Sequence, residues 1–388
     1  SPRGLGPLSL FLEATQLKTA PTGRFAGLSG EKAVVEAQIA GIGTRNGQRP
    51  TVPAGVPLGR EKASKTPCGC GSRAERHPAK MASWAPAAED ELSLREGARA
   101  NNGKLRKNKS YNTYTMVHIF DQLAGARITG PQRPGIRNIQ FNSRKVEPGD
   151  LFVAVRGTQV DGHDYMADAV AQGAVAVVCE TLPAGDLNPE VSYVLVDDSA
   201  AALAQLAAAY YGHPSDRLRL VGVTGTNGKT TIATLLYDLF TALGHRCGLI
   251  STVVYRVAEE RIESTHTTPD PLTLNRLMAE MVEAGCDYCF MEVSSHSIVQ
   301  QRIKGLTFTG GIFTNITHDH LDYHGTFAEY IRAKKLFFDR LPKEAFALVN
   351  TDDRNGAVMV QNTAAAARTY SLRSFSDFPC RILENTPE

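Results

Sequence analysis

The sequence predicts a mixed α/β protein: a small α/β domain, then a larger one on a mostly parallel sheet, behind a long N-terminal segment with no fold of its own. Three observations carry this. From Ile119 onward, short apolar runs alternate with stretches of helical period, the pattern of a parallel sheet covered on both faces. A glycine-rich turn, Gly222 to Thr231, lies at a strand-to-helix junction. Charge is uneven: residues 1–115 carry a balance of +9 and the remainder −7, which the total of +2 conceals.

At 388 residues the chain is long enough for two or three domains. Hydrophobic residues at 42% and charged residues at 21% suit a protein with a real core, and no apolar run is long enough to span a bilayer as a helix. The seven cysteines are scattered, which argues against a disulfide scaffold and for a reducing, cytoplasmic setting.

Residues 1–115 mix Gly, Pro, Ser and Arg without period and bury too little to fold, so they are expected to be a disordered or non-native extension, with Met116 as the natural start. The run Lys104–Lys109 has no apolar face and no interleaved aromatics; it reads as a solvated tail rather than a nucleic-acid arm. The acidic cluster Glu89–Glu91 argues against a transit peptide. Cys68-Gly-Cys70 with His77 lacks the spacing of a four-ligand zinc site.

Residues 116–215 form the first domain. Strands are expected at Ile136–Phe141, Leu151–Val155, Ala174–Cys179 and Ser192–Val196, with helices at Tyr165–Gln172 and Ala200–Tyr211. His213–Asp216 reads as a linker because Pro214 keeps its predecessor out of a helix. Residues 216–388 form the second. Its strands are expected at Leu218–Val223, Cys247–Ser251, Asp287–Glu292, Gly310–Thr314, Ala345–Asn350 and Arg368–Ser371. Its helices are expected at Lys229–Leu243, Pro271–Ala284 and Phe327–Arg340. Ligands in such folds gather at the carboxyl ends of the strands, where the motifs fall.

The loop Gly225-Thr226-Asn227-Gly228 leads into Lys229-Thr230-Thr231 at a helix start. Its N–H groups and the helix N-terminus favour phosphate oxygens, Lys229 can reach the β/γ-phosphates of ATP, and the Thr230 hydroxyl can ligate Mg²⁺. The strict P-loop spacing is not met, since Gly222 stands one residue early. Glu292 ends an apolar strand, well placed for Mg²⁺. Cys286 and Cys289 overlap that strand and read as packing residues. Asn315–Gly325 holds three His and two Asp, which alone could suggest a transition-metal site.

Thr224–Thr231 resembles the phosphate loop of the Mur ligase family, ATP-dependent amide-forming ligases of peptidoglycan synthesis. Thr267–Asp270, Met291–His296, Asp319–Gly325, Asn142-Ser143-Arg144 and Gly149–Phe152 resemble the MurE type, which adds a diamino acid to UDP-N-acetylmuramoyl-L-alanyl-D-glutamate. The resemblance makes the first domain a uridine-nucleotide-binding domain and the second the central ATPase domain. It implies that His320 ligates a second Mg²⁺, with His318 and His324 as loop contacts. It implies that Lys334, in the frame Tyr330-Ile-Arg-Ala-Lys334, carries a CO₂-derived carbamate, with Lys335 as the solvent-facing neighbour. It assigns the UDP-muramoyl-dipeptide to Ser143, Thr158, Gln159, Thr267, Thr268, Ser294, Gln300 and Arg302, and adenine to Asn350.

Catalytic roles thus fall to Lys229, Glu292, His320 and Lys334, in a monomeric enzyme with no nucleic-acid partner. The family's C-terminal amino-acid-binding domain is expected to be absent and the central domain incomplete, so this chain alone is expected not to ligate. The incoming residue is expected to be meso-2,6-diaminopimelate rather than L-lysine. The alternatives are a folylpolyglutamate or cyanophycin synthetase relative, which the Asn142–Phe152 and Asp319–Gly325 motifs disfavour, and a non-catalytic scaffold, which the intact polar set disfavours.

Overall fold

The computed structural model describes residues 33–36, 118–157 and 160–385. Of the first 115 residues only β1 (Ala33–Glu36) falls within that range; it pairs antiparallel with the last described strand, β16 (Arg381–Asn385). The other readings made on residues 1–115, and those on Thr158 and Gln159, lie outside the described residues.

The small fold contains β2 (Arg127–Thr129), β3 (Ile139–Gln140), β4 (Leu151–Val153), α1 (Met166–Ala171), β5 (Ala176–Cys179), β6 (Ser192–Leu195) and α2 (Ser199–Tyr210). Its sheet runs β2-β6-β5-β4-β3, with only β2 antiparallel to its neighbour. Helix α2 starts where Asp198 caps it, accepting from Ala201 N–H at 2.9 Å. The expected strand Ile136–Phe141 shortens to two residues because Asn142 turns the chain, accepting from Arg144 N–H to cap a 3₁₀ turn at Ser143–Lys145.

The large fold comprises β7 (Arg219–Thr224), α3 (Lys229–Ala242), β8 (Cys247–Ile250), β9 (Val254–Val257), β10 (Glu260–Glu263), α4 (Pro271–Glu283), β11 (Tyr288–Glu292) and α5 (Ser295–Val299), followed by β12 (Gly310–Phe313), α6 (Leu321–His324), α7 (Phe327–Asp339), β13 (Phe346–Asn350), α8 (Gly356–Met359), β14 (Ala366–Ser371) and β15 (Phe378–Pro379). Its sheet order is β10-β9-β8-β11-β7-β12-β13-β14-β15. All pairs from β8 to β15 are parallel, and the hairpin β9–β10 extends the other edge antiparallel. That hairpin turns at Ala258 (φ 49°) and Glu259, without the Asn-Gly or Asp-Gly pair that usually marks such a turn. Tyr237 Oη donates to Ala258 O at 2.8 Å and holds the strained residue.

The expected linker is a joint pinned at its middle, with Pro214 and Ser215 buried and Asp216 exposed. His213 adopts φ 50°, Pro214–Arg217 form a 3₁₀ turn, and Ser215 Oγ accepts from Thr307 N–H at 3.1 Å. Helix α2 packs against α4, and Leu272 packs against the small fold's core.

Two glycines set the position of α7. A Cβ on Gly222 would lie 2.6 Å from Phe337 Cζ, and one on Gly311 2.8 Å from Phe337 Cε1. The Phe337 ring therefore rests directly on the sheet, and Lys334, one turn earlier, reaches the loop after β7. Gly222, one residue early for a cradle glycine, is a packing glycine inside the strand.

Candidate active site

The glycine-rich loop follows β7, an inner strand flanked by β11 and β12. Gly225 has φ 152°, and its missing Cβ would fall 2.0 Å from Thr314 Oγ1. Gly228 caps α3 in the left-handed region at φ 83°. The segment after β12 serves as the loop's mould. Asn315 O accepts from Thr226 N–H at 2.8 Å, Asn315 Oδ1 from Asn227 N–H at 3.0 Å, and Asn227 O from Thr314 Oγ1 at 2.6 Å. Thr226 Oγ1 stands 3.1 Å from Tyr330 Oη.

Two lysines from different helices converge on one carbonyl. Lys229 Nζ donates to Gly225 O at 3.0 Å and Thr226 O at 2.9 Å, and Lys334 Nζ donates to Gly225 O at 2.9 Å. Lys334 is 1% exposed and sits 4.7 Å from the Tyr330 ring centroid. Burial, then the Lys229 charge, pull its ammonium down to about 7, with Asp319 opposing. Burial also lowers Lys229, against the pull of Glu292 and Asp319. Lys335 points away and pairs with Asp339 at 2.5 Å, as the helical frame requires. Thr230 and Thr231 lie in the first turn of α3, Thr230 half-buried and Thr231 exposed.

Glu292, 1% exposed at the end of β11, accepts Thr252 N–H on Oε1 at 2.6 Å, while Oε2 has no protein donor among the described residues. A carboxylate with one oxygen spoken for and one free suits a hard divalent cation. Among the described residues no three His, Cys, Asp or Glu side chains stand close enough to hold a metal between them. The free Glu292 oxygen and the Thr230 hydroxyl in the first turn of α3 are groups that fit a Mg²⁺ completed by ligand oxygens.

A second network joins Glu292 to Thr267, Thr268, Gln300 and Arg302. Thr268 Oγ1 donates to Glu292 O at 2.8 Å, Arg302 Nη1 to Thr268 O at 2.7 Å, and Arg302 Nε to Gln300 Oε1 at 2.9 Å. Thr267 Oγ1 accepts from Thr252 Oγ1 at 3.0 Å. Ser294 caps α5, accepting from Ser297 N–H, so its hydroxyl has a local structural job. Asn350 Nδ2 donates to Thr314 O at 2.9 Å and so braces the loop's mould. His320 opens α6 at φ 53°, with its ring 5.0 Å from that of His296 and 6.0 Å from that of Tyr330. His324 bonds Ser295 Oγ at 2.9 Å, and His318 stacks on Phe327 at 4.3 Å, so both make contacts within the loop region. Ser143 stands in the small fold, half-buried at its 3₁₀ turn.

Sequence reasoning missed Thr314, Asn315, Tyr330, Thr252 and Tyr323. The available signal was position: Thr314 and Asn315 directly follow a parallel strand beside the loop's own. Cys286 and Cys289 are buried free thiols, pushed up by burial.

A glycine-rich loop between an inner parallel strand and a helix, with a lysine opening that helix, defines a phosphate-loop α/β protein. Residues 223–387 match the Mur ligase middle domain, and residues 135–211 match the Mur ligase family, catalytic domain. The chain belongs to the Mur ligase family. It is 59% identical over 267 residues to a UDP-N-acetylmuramoyl-L-alanyl-D-glutamate–2,6-diaminopimelate ligase of Parabacteroides distasonis, covering 69% of this chain and 55% of the relative. The Bacteroides fragilis protein of that name is 56% identical over 270 residues, covering 70% and 56%. A solved structure of a ligase with the same name aligns with a TM-score of 0.53 at 28% identity, covering 62% of this chain and 49% of that one. The chain spans about half the length of the curated relatives it matches.

Proposed function

We propose that this protein is an ATP-dependent carboxylate–amine ligase that joins a diamino acid to UDP-N-acetylmuramoyl-L-alanyl-D-glutamate in peptidoglycan synthesis. The diamino acid is meso-2,6-diaminopimelate rather than L-lysine, in line with the names of the relatives at 59% and 56% identity. The observation that carries the ligase reading is the convergence of Lys229 and Lys334 on Gly225 O at the mouth of the phosphate loop. Lys229 is a cation resting on neutral loop carbonyls, an incomplete arrangement that anionic phosphate oxygens complete, and Lys334 shares that carbonyl as an amine pressed toward its neutral form.

In this reading Lys229 leaves its loop carbonyls for the β/γ-phosphates of ATP, which sit over the N–H groups of Gly225–Thr231. Glu292, Thr230 and His320 provide Mg²⁺ ligands, and bound Mg²⁺ supplies charge neutralisation for phosphoryl transfer. Lys334, its pKa brought to about 7, has a ready supply of free amine at neutral pH. That amine attacks CO₂, forming an N–C bond and releasing a proton, and the carbamate adds an anionic oxygen beside Lys229. Thr267, Thr268, Ser294, Gln300 and Arg302, with Ser143, Thr158 and Gln159 at the uridine end, hold the muramoyl dipeptide. Its carboxylate attacks the γ-phosphorus of ATP, breaking the bond to ADP and forming an acyl phosphate, and the diamino acid's amine then forms the amide as phosphate leaves and a proton is lost. Asn350 borders the adenine. The enzyme acts in the cytoplasm as a monomer; the described cysteines are free thiols, which supports a reducing compartment.

The test is phosphate release and incorporation of labelled diaminopimelate or lysine by the full-length protein, with Mg·ATP and the UDP-muramoyl-dipeptide. Dependence on all three substrates supports the reading, and ATP hydrolysis indifferent to the UDP-dipeptide would overturn it.

A further inference from the structure

Arg302 is a half-buried guanidinium whose hydrogen-bond partners are neutral. Its Nε and Nη2 both donate to Gln300 Oε1, at 2.9 and 2.5 Å, and its Nη1 donates to Thr268 O at 2.7 Å. Three of the five guanidinium N–H groups are thereby fixed, and two remain for a ligand. No carboxylate forms an ion pair with Arg302 among the described residues; burial disfavours its charge, and the more distant Asp270 carboxylate offsets that only in part. An anion that neutralised it would gain both the hydrogen bonds and the charge.

The direction in which those two N–H groups point depends on Gln300, and Gln300 is oriented from a distant part of the chain. Its Nε2 donates to Tyr323 Oη at 3.2 Å. An amide offers an oxygen at one end and N–H groups at the other. Anchoring the nitrogen on Tyr323 commits the oxygen to Arg302. The Tyr323 ring is itself seated 4.2 Å from the His296 ring, and the next residue, His324, is tied to Ser295 Oγ. Helix α6 is thus stapled to α5 at two adjacent residues, one of which ends on the arginine's partner.

We infer that Tyr323 is the positioning residue for Arg302: through the Gln300 amide it fixes the guanidinium in the orientation that receives the substrate's carboxylate, and so makes the α6 segment part of the substrate-affinity machinery. Tyr323 touches neither the reacting atoms nor Arg302 itself. The affinity part of the inference rests on the function proposed above; the orientation part does not.

The experiment compares this chain with its Tyr323→Phe variant, which keeps the ring against His296 and loses only the hydroxyl. Two quantities are measured: the calorimetric Kd for UDP-N-acetylmuramoyl-L-alanyl-D-glutamate, and the ¹H–¹⁵N signal of the Arg302 Nε–H group, assigned by its loss in Arg302→Lys. Loss of one neutral hydrogen bond should weaken binding roughly 3- to 10-fold. The Nε–H signal should shift and exchange faster with water as Gln300 loosens. A merely structural tyrosine would lower the unfolding midpoint and leave the Nε–H signal where it was. An unmoved Nε–H signal overturns the inference, as does equal affinity in the two proteins where the parent binds. If the parent does not bind but the Nε–H signal shifts, Tyr323 positions Arg302 and it is the substrate reading that falls.

Discussion

Lys334→Met should remove a specific pH dependence of stability. In the folded chain the ammonium is held at about 7, against 10.5 for an unhindered lysine, because burial and the Lys229 charge both disfavour it. Between those values the unfolded chain binds a proton that the folded chain has released, so stability must rise with pH across that window. The penalty is fully present below pH 7 and is relieved as the pH climbs above it. From pH 7 to pH 9 the gain is about 2 kcal/mol, taking 1.36 kcal/mol per pH unit and half-protonation at the start. Methionine fills similar space and carries no proton, so this slope should be missing from the variant. The buried thiols titrate at higher pH, Cys179 at about 11 and Cys247 at about 12, and their effect is common to both proteins. Urea unfolding in CO₂-free buffer at pH 7, 8 and 9 gives the two curves. Parallel curves, with the stability difference constant within about 0.5 kcal/mol, would refute the account of Lys334 as a buried amine under pressure to deprotonate.

Gly225→Ala should cost the chain about 2 kcal/mol or more and abolish Mg·ATP binding, because the new Cβ would fall 2.0 Å from Thr314 Oγ1; calorimetric titration with Mg·ATP checks it. Lys229→Ala should lower ligase turnover of the full-length protein by more than about 100-fold, the scale for one preorganised electrostatic contact, and near-normal steady-state turnover would count against the phosphate-loop assignment. Lys334→Ala should remove most of that turnover, with partial recovery on adding short carboxylates. Lys335 is not the solvent-facing lysine the sequence suggested, since its side chain is only 13% exposed in its pair with Asp339, but among the described residues it makes no contact with the phosphate loop, and Lys335→Ala should stay within about 2-fold in turnover.

The order of β7, β8, β11, β12 and β13 was legible because each is a short, buried apolar run, and the helices α3, α4 and α7 between them have a clear period. The boundaries of α3, α4 and α7 fall within one residue of the expected ones for the same reason. The β9–β10 hairpin was not legible, since its turn residue is an alanine held at φ 49° by packing and by Tyr237. Lys334 could be told from Lys335 by the resemblance, and the physical ground of that choice is now visible: Lys334 shares the buried face of α7 with Tyr330, Ala333, Phe337 and Phe338. The role of Gly222 could not be read from spacing, because what needs the missing side chain is Phe337, more than a hundred residues away. The cradle role of Asn315 was hidden for a similar reason, as it is defined by which strand lies beside β7.

The pinned joint between the two sheets bears on how this protein comes apart and how it can be rebuilt. With Ser215 bonded to Thr307, Pro214 and Ser215 shielded, and α2 lying on α4, the peptide at 213–217 behaves as a keystone rather than a tether. Loss of either sheet would leave the other with an open apolar seam. The two should melt in one cooperative step, and a protease that cuts flexible connectors should find no foothold there. Swapping the small fold for one from a distant relative would succeed only if Leu272 and the α4 face that carries it travelled with it. What looks in the sequence like a boundary between exchangeable modules is, in the folded chain, anchored in the shared interior through Pro214 and Ser215.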